Sequence, residues 1–158
     1  MEDSGPGGLE NLAYQLSLKA LERQDRVLDE LRARTGTMLA ASSIAAIAAS
    51  FLGGQAAGAD SGVLTVLAVG MFVASIAALT YILLPKGNLI FSVRGSVLFE
   101  EEFEEAVALA ETYRRLAYWL EGYHEANQVI VERLFLYFRV ATLAVLLQVV
   151  LWVLEITI

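Results

Sequence analysis

The chain has 158 residues, 57% of them hydrophobic, with a net charge of −7, one histidine and no cysteine. One domain's length cannot hide that much apolar surface in an aqueous core, so lipid is the expected solvent for part of it. Disulfides, thiol catalysis and thiolate metal sites are excluded, and the acidic balance argues against a nucleic-acid partner.

Residues 1–8, acidic and glycine-rich, lack an apolar core behind a basic flank and read as a disordered tail rather than a secretory signal. From Leu9 to Arg34 (9–34) the pattern is that of an amphipathic helix. Leu9, Leu12, Ala13, Leu16, Ala20, Val27 and Leu31 share one arc, widened by Leu21 and Leu28, with Glu22, Asp25, Arg26 and Asp29 opposite. Glu22–Arg26 and Glu30–Arg34 are i,i+4 pairs in the favourable order. Nothing breaks the pattern decisively before Gly36, so this helix can be continuous with the apolar stretch beyond it.

Residues 35–84 hold two charge-free runs, Thr35–Ala59 and Ser61–Leu84, separated by Asp60. Each exceeds the roughly 20 residues a helix needs to cross a hydrocarbon core, so they predict a transmembrane hairpin. Ala41, Ala45, Ala49 and Gly53 recur every four residues in the first run, and Gly62, Gly70, Ala74 and Ala78 form a similar seam in the second. Small residues let helix backbones approach closely in lipid, so these seams are expected to face each other or the same seams of neighbouring subunits. Ser42, Ser43 and Ser50 can bond their own backbone or cross to another helix.

Pro85-Lys86-Gly87 ends the hairpin, opening a cytoplasmic segment, 85–133. Asn88–Gly95 suits an extended connector on the membrane face, or a short strand. Ser96 is a candidate N-cap for a second amphipathic helix. Its apolar arc runs from Leu98 and Phe99 through Tyr113, Leu116, Leu120 and Val131 to Leu134, and it is expected to pack on the first. Residues 134–158 form a third apolar run, again with no obvious break from the helix before it. Arg139 lies about five residues inside, within snorkelling reach of the interface, and Trp152 and Tyr137 suit the two membrane edges. The predicted architecture is therefore all-α and integral to the membrane, with three transmembrane helices and two amphipathic cytoplasmic ones. Basic residues concentrate before the first span and between the second and third. The positive-inside rule then places the N-terminus in the cytoplasm and the C-terminus outside a multi-pass cell membrane protein.

Chemistry-bearing residues are few. Glu100, Glu101, Glu102, Glu104 and Glu105 crowd the start of the second amphipathic helix. The macrodipole accounts for one or two; the rest suit a solvated face or a cluster that attracts cations. His124, on the apolar arc, is a candidate pH-sensitive contact or a structural histidine. Gln148 and Glu155, seven residues apart, share a face of the third span and, with Ser43 and Ser50, are candidates for a polar interface or a pore lining. Neither a phosphate loop, a nucleophile elbow, a zinc-binding H-E-x-x-H nor a dinucleotide fingerprint is present, so no enzyme, metal or cofactor is expected.

The order amphipathic helix, tight membrane hairpin, cytoplasmic helix, over roughly Leu9–Arg133, resembles the SLATT-type membrane effector domains of bacterial defence systems. A more general likeness is to short actinobacterial membrane proteins. The family resemblance implies a homo-oligomer that permeabilises the membrane, although the third span departs from its two-span pattern. Two functions are expected to compete: an oligomeric, ion-conducting or membrane-permeabilising assembly, and a non-conducting adaptor or accessory subunit whose cytoplasmic helices recruit a protein partner.

Overall fold

Long stretches of alanine, leucine and other good helix formers, with only two prolines in the chain, favour uninterrupted helix. The computed structural model describes residues 8–56, 62–87, 89–91 and 109–157, and all regular structure among them is α-helical. Three helices are seen: α1 (Gly8–Ala56), α2 (Val63–Leu83) and α3 (Leu109–Thr157). α1 passes through Gly36 without interruption. α2 stops where the sequence predicts, because the residue before a proline avoids helical geometry. Leu84, just before Pro85, is extended (φ −61°, ψ 135°), and its N–H closes the last turn on the Thr80 carbonyl. Leu89, Ile90 and Phe91 are neither helix nor strand. Two helices among the described residues, α2 and α3, are long and apolar enough to cross a membrane.

Two compact units share α1 and α3. The first takes α1 through Asp29, the connector from Lys86 and α3 through Val131; the second takes Glu30–Pro85 and Glu132–Ile158. In the first unit α1 and α3 run parallel. Tyr14 packs against Tyr113 with ring centroids 5.5 Å apart, and Gln24 Nε2 donates to the His124 carbonyl at 3.2 Å. The core is Leu21 and Leu28 of α1 against Leu116, Leu120 and Val131 of α3. Charged residues occupy the outside, including the Glu22–Arg26 pair at 3.9 Å.

In the second unit α1 and α3 are again parallel, and α2 runs antiparallel to α3. Thr142 donates to Met38 and Ser42 to Gln148, both numbers rising together, whereas Tyr81 meets Tyr137 and Thr65 meets Glu155. Twelve described residues are buried here: Leu31, Leu79, Ile82 and Leu134; Ala49, Ala68, Ala141 and Ala144; Thr35, Ser42, Ser75 and Gln148. A third are polar and a third are alanine, while Ile44, Phe51, Val73, Leu143 and Leu146 lie outside, Phe51 at 72% exposure. An interior more polar than the exterior is the reverse of an aqueous core, and it is what a lipid solvent permits.

The buried stripe of α1 departs from the arc that its leucines suggest. Leu21, Gln24, Leu28, Leu31, Thr35, Ser42 and Ala49 follow steps of three, four or seven, a heptad seam that keeps one face on a parallel neighbour. Leu9, Leu12 and Leu16, which dominate the sequence pattern, are instead exposed.

Candidate functional site

The polar residues of the second unit form two rungs between helices. Ser42 Oγ donates to Gln148 Oε1 at 3.2 Å, and both side chains are wholly buried. Helical spacing makes this contact possible: Ser42 continues the α1 seam, and alanines at 141 and 144 leave α3 narrow enough for a close approach. Gln148 Nε2 and Trp152 Nε1, one turn apart on α3, are buried with no protein acceptor among the described residues. The second rung lies one heptad further along α3. Thr65 Oγ1 donates to Glu155 Oε1 at 2.8 Å. A Cβ on Gly62 would come within 2.9 Å of the same oxygen, so glycine there admits the carboxylate to the start of α2. The unpaired N–H groups of a helix N-terminus carry partial positive charge, which favours an anionic group at that place.

Three serines instead bond within their own helices. Ser43 donates to the Leu39 carbonyl at 2.9 Å, Ser50 to Ala46 at 2.8 Å and Ser75 to Phe72 at 2.8 Å. Such back-bonding removes the polarity of a hydroxyl from the helix surface. The four residues suggested for a polar interface or pore lining are therefore not brought together. Gln148 and Glu155 serve bonds inside one protomer, whereas Ser50 is exposed and Ser43 half-buried.

The seams also divide. Ala49 is buried and Ala45 and Ala78 half-buried, but Ala41, Gly70 and Ala74 are exposed, and a Cβ on Gly70 would meet nothing within 4 Å. Gly53 belongs to the helical backbone of α1. The glutamate cluster, Glu100, Glu101, Glu104 and Glu105, lies outside the described residues. No group of metal-binding side chains occurs among the described residues.

In the first unit, Asn127 makes a contact that no motif in the sequence marks. Fully buried on α3, it accepts the Ile90 N–H at 3.2 Å and donates to the Ile90 carbonyl at 2.7 Å, as a neighbouring strand would. Both backbone groups of Ile90 are thereby satisfied where the chain leaves α2. His124, one turn earlier, offers its carbonyl to Gln24, and its Nδ1 is buried with no protein partner among the described residues. Glu121 and Glu125 point to solvent.

Two grooves open on this unit. One, of about 500 Å³, has Leu16, Ala20 and Val27 as its apolar floor and Lys19 and Arg23 on its rim, with Gln24 and His124. The other, of about 310 Å³, runs along Leu9, Ala13 and Ser17 against Arg114, Ala117 and Tyr118. At the start of α3, hydrogen bonding from Arg114 (2.9 Å), reinforced by Arg115, holds the Glu111 carboxyl below its ordinary range. Set against family models, curated proteins and solved structures, the chain matches none of them.

Proposed function

We propose that the chain is a three-span membrane protein that presents a docking face on its water-exposed helices and recruits a protein partner there. The observation that carries this reading is the row Leu9, Leu12 and Leu16, exposed at 77, 54 and 58% along one side of α1. Isolated exposed leucines are ordinary; three at i, i+3 and i+7 beside an apolar groove form a helix-binding face. Lys19 and Arg23 on the rim favour an acidic amphipathic helix as the partner. The third span in this reading is the charge-free part of α1, Thr35–Ala56, whose length of about 33 Å suffices to cross. The N-terminal helix and the 85–133 segment then face the cytoplasm, by the distribution of basic residues.

Replacing Leu9, Leu12 and Leu16 together by glutamine, with affinity purification from intact cells, tests the adaptor. A stoichiometric partner should be lost from the triple variant while membrane insertion is kept. A partner set unchanged by the substitutions contradicts it. Leu28 and Leu31, being core residues, would report only on folding.

A second reading, a self-assembled conducting or permeabilising oligomer, is favoured by one feature. Gly70 and Ala74 turn their small surface outward, on a helix whose other exposed residues include Val66 and Val73. A second copy could approach closely there. With Gln148 and Glu155 engaged within the protomer, a passage would have to be lined by other residues. Gly70→Leu should abolish an oligomer seen in nanodiscs and any liposome conductance; a monomeric wild type without conductance removes this reading.

A further inference from the structure

Arg139 is a cation on the apolar outside of the second unit with no protein partner among the described residues. Arg139 is exposed on α3 and makes no hydrogen bond or ion pair with any of them. Its neighbours on α3 include Leu136, Val140 and Leu143, exposed at 59, 52 and 61%. By contrast, Arg34 of the same unit is engaged by Glu30.

The contacts fix the level of Arg139 within the unit. Thr142 touches Met38, so three residues earlier on each parallel helix Arg139 is level with Thr35, the first residue of the charge-free stretch of α1. Two residues before Arg139, Tyr137 packs against Tyr81 with centroids 4.7 Å apart and the rings tilted by 52°, both tyrosines being exposed. Paired tyrosines belong to the headgroup zone, where a ring meets lipid and a hydroxyl meets water. α1, α2 and α3 thus mark one interface, and Arg139 lies at it rather than deep in the span. At 100° per residue it projects away from the Leu134–Ala141–Gln148 line that faces the bundle.

We infer that Arg139 binds the phosphodiester of an anionic lipid in the leaflet at the Thr35 end of the unit. Its aliphatic stem lies along leucine and valine, and its planar guanidinium meets phosphate oxygens in a two-bond fork that lysine cannot reproduce. This inference rests on the membrane reading of the second unit. An acidic side chain of a second copy would satisfy the same charge, but the residues around Arg139 form an aliphatic surface of the kind acyl chains cover.

The test uses the full chain in nanodiscs of mixed phosphatidylglycerol and phosphatidylcholine, with native mass spectrometry of retained lipid. Wild type should keep phosphatidylglycerol preferentially, and Arg139→Gln should lower that retention about fivefold, the effect of one cation at an anionic surface. Arg139→Lys should recover part of it, and Lys19→Gln, on the first unit, should leave it unchanged. Equal retention by wild type and Arg139→Gln overturns the inference while leaving the membrane reading intact. So does a change in oligomer size without loss of lipid, which would assign Arg139 to a second copy. A wild-type chain that never enters nanodiscs removes the membrane reading and the inference together.

Discussion

One heptad seam runs along α1, yet its two halves obey opposite rules. Up to Leu31 the seam is mainly leucine and the outside, apart from Leu9, Leu12 and Leu16, is mostly polar or charged; from Thr35 onward the seam turns to threonine, serine and alanine, and the outside is mostly isoleucine, phenylalanine and alanine. α3 changes in the same sense, from Leu116 and Leu120 to Ala141, Ala144 and Gln148. Helix geometry is common to both units, and the membrane placement proposed above accounts for the difference by the solvent against which each folds. In water, burying leucine drives association; in lipid that drive vanishes, and close approach with hydrogen bonds takes its place.

The sharpest way to break this contrast is to truncate one core residue in the first unit. Leu120→Ala, at a site 1% exposed, should cost about 2–5 kcal/mol of local stability, read as lost amide-exchange protection over residues 109–131. An effect no larger than that of a surface substitution would mean the first unit has no hydrophobic core. Asn127→Ala should come next, at about 1–3 kcal/mol, because both backbone groups of Ile90 lose their partner. Exchange of the Ile90 amide would report it directly, and an unchanged rate would contradict the contact.

Gln148→Leu probes the second unit and, on the proposed membrane placement, should be milder. Membrane hydrogen bonds between helices are worth on the order of 0.6 to 2 kcal/mol, and leucine also removes an Nε2 without a protein acceptor among the described residues. Unfolding in micelles should shift little; a collapse as large as that from Leu120→Ala would equate the two interiors. The smallest effect belongs to Glu111. Its folded-state carboxyl is held below the ordinary value of 4.5, so the stabilisation is complete above that pH and fades as pH falls through the lowered value. Acidification should therefore fray the start of α3, and Glu111→Gln should abolish that pH dependence; fraying on raising the pH instead would reverse the sign.

Much of this contrast is legible in the sequence, but unevenly. Charge-free runs, Pro85 and the i,i+4 pairs report on local chain properties, and the helices track them. The seven-residue spacing of Gln148 and Glu155 puts them on one side of α3, where the first meets α1 and the second α2. The burial stripe of α1 is hidden because three exposed leucines, Leu9, Leu12 and Leu16, outweigh Gln24, Thr35 and Ser42 in any hydropathy pattern. Partners are harder still. Thr65 and Gly62 meet Glu155 only through the register of α2 on α3, and Ile90 meets Asn127 across 37 positions of chain. Neither contact has a periodicity that a linear pattern could reveal.

The absence of cysteine makes the central claim directly measurable, since any introduced thiol is the only one. Single cysteines at Leu109 and Tyr118 in the first unit, and at Ile44, Val73 and Leu143 in the second, all occupy positions exposed at 60% or more. In native membrane vesicles opened to both faces, a water-soluble maleimide should label the first two quickly and spare the other three until detergent is added and the chain is unfolded. Equal labelling at all five positions would show that the apolar exterior of the second unit faces water, and would contradict the account.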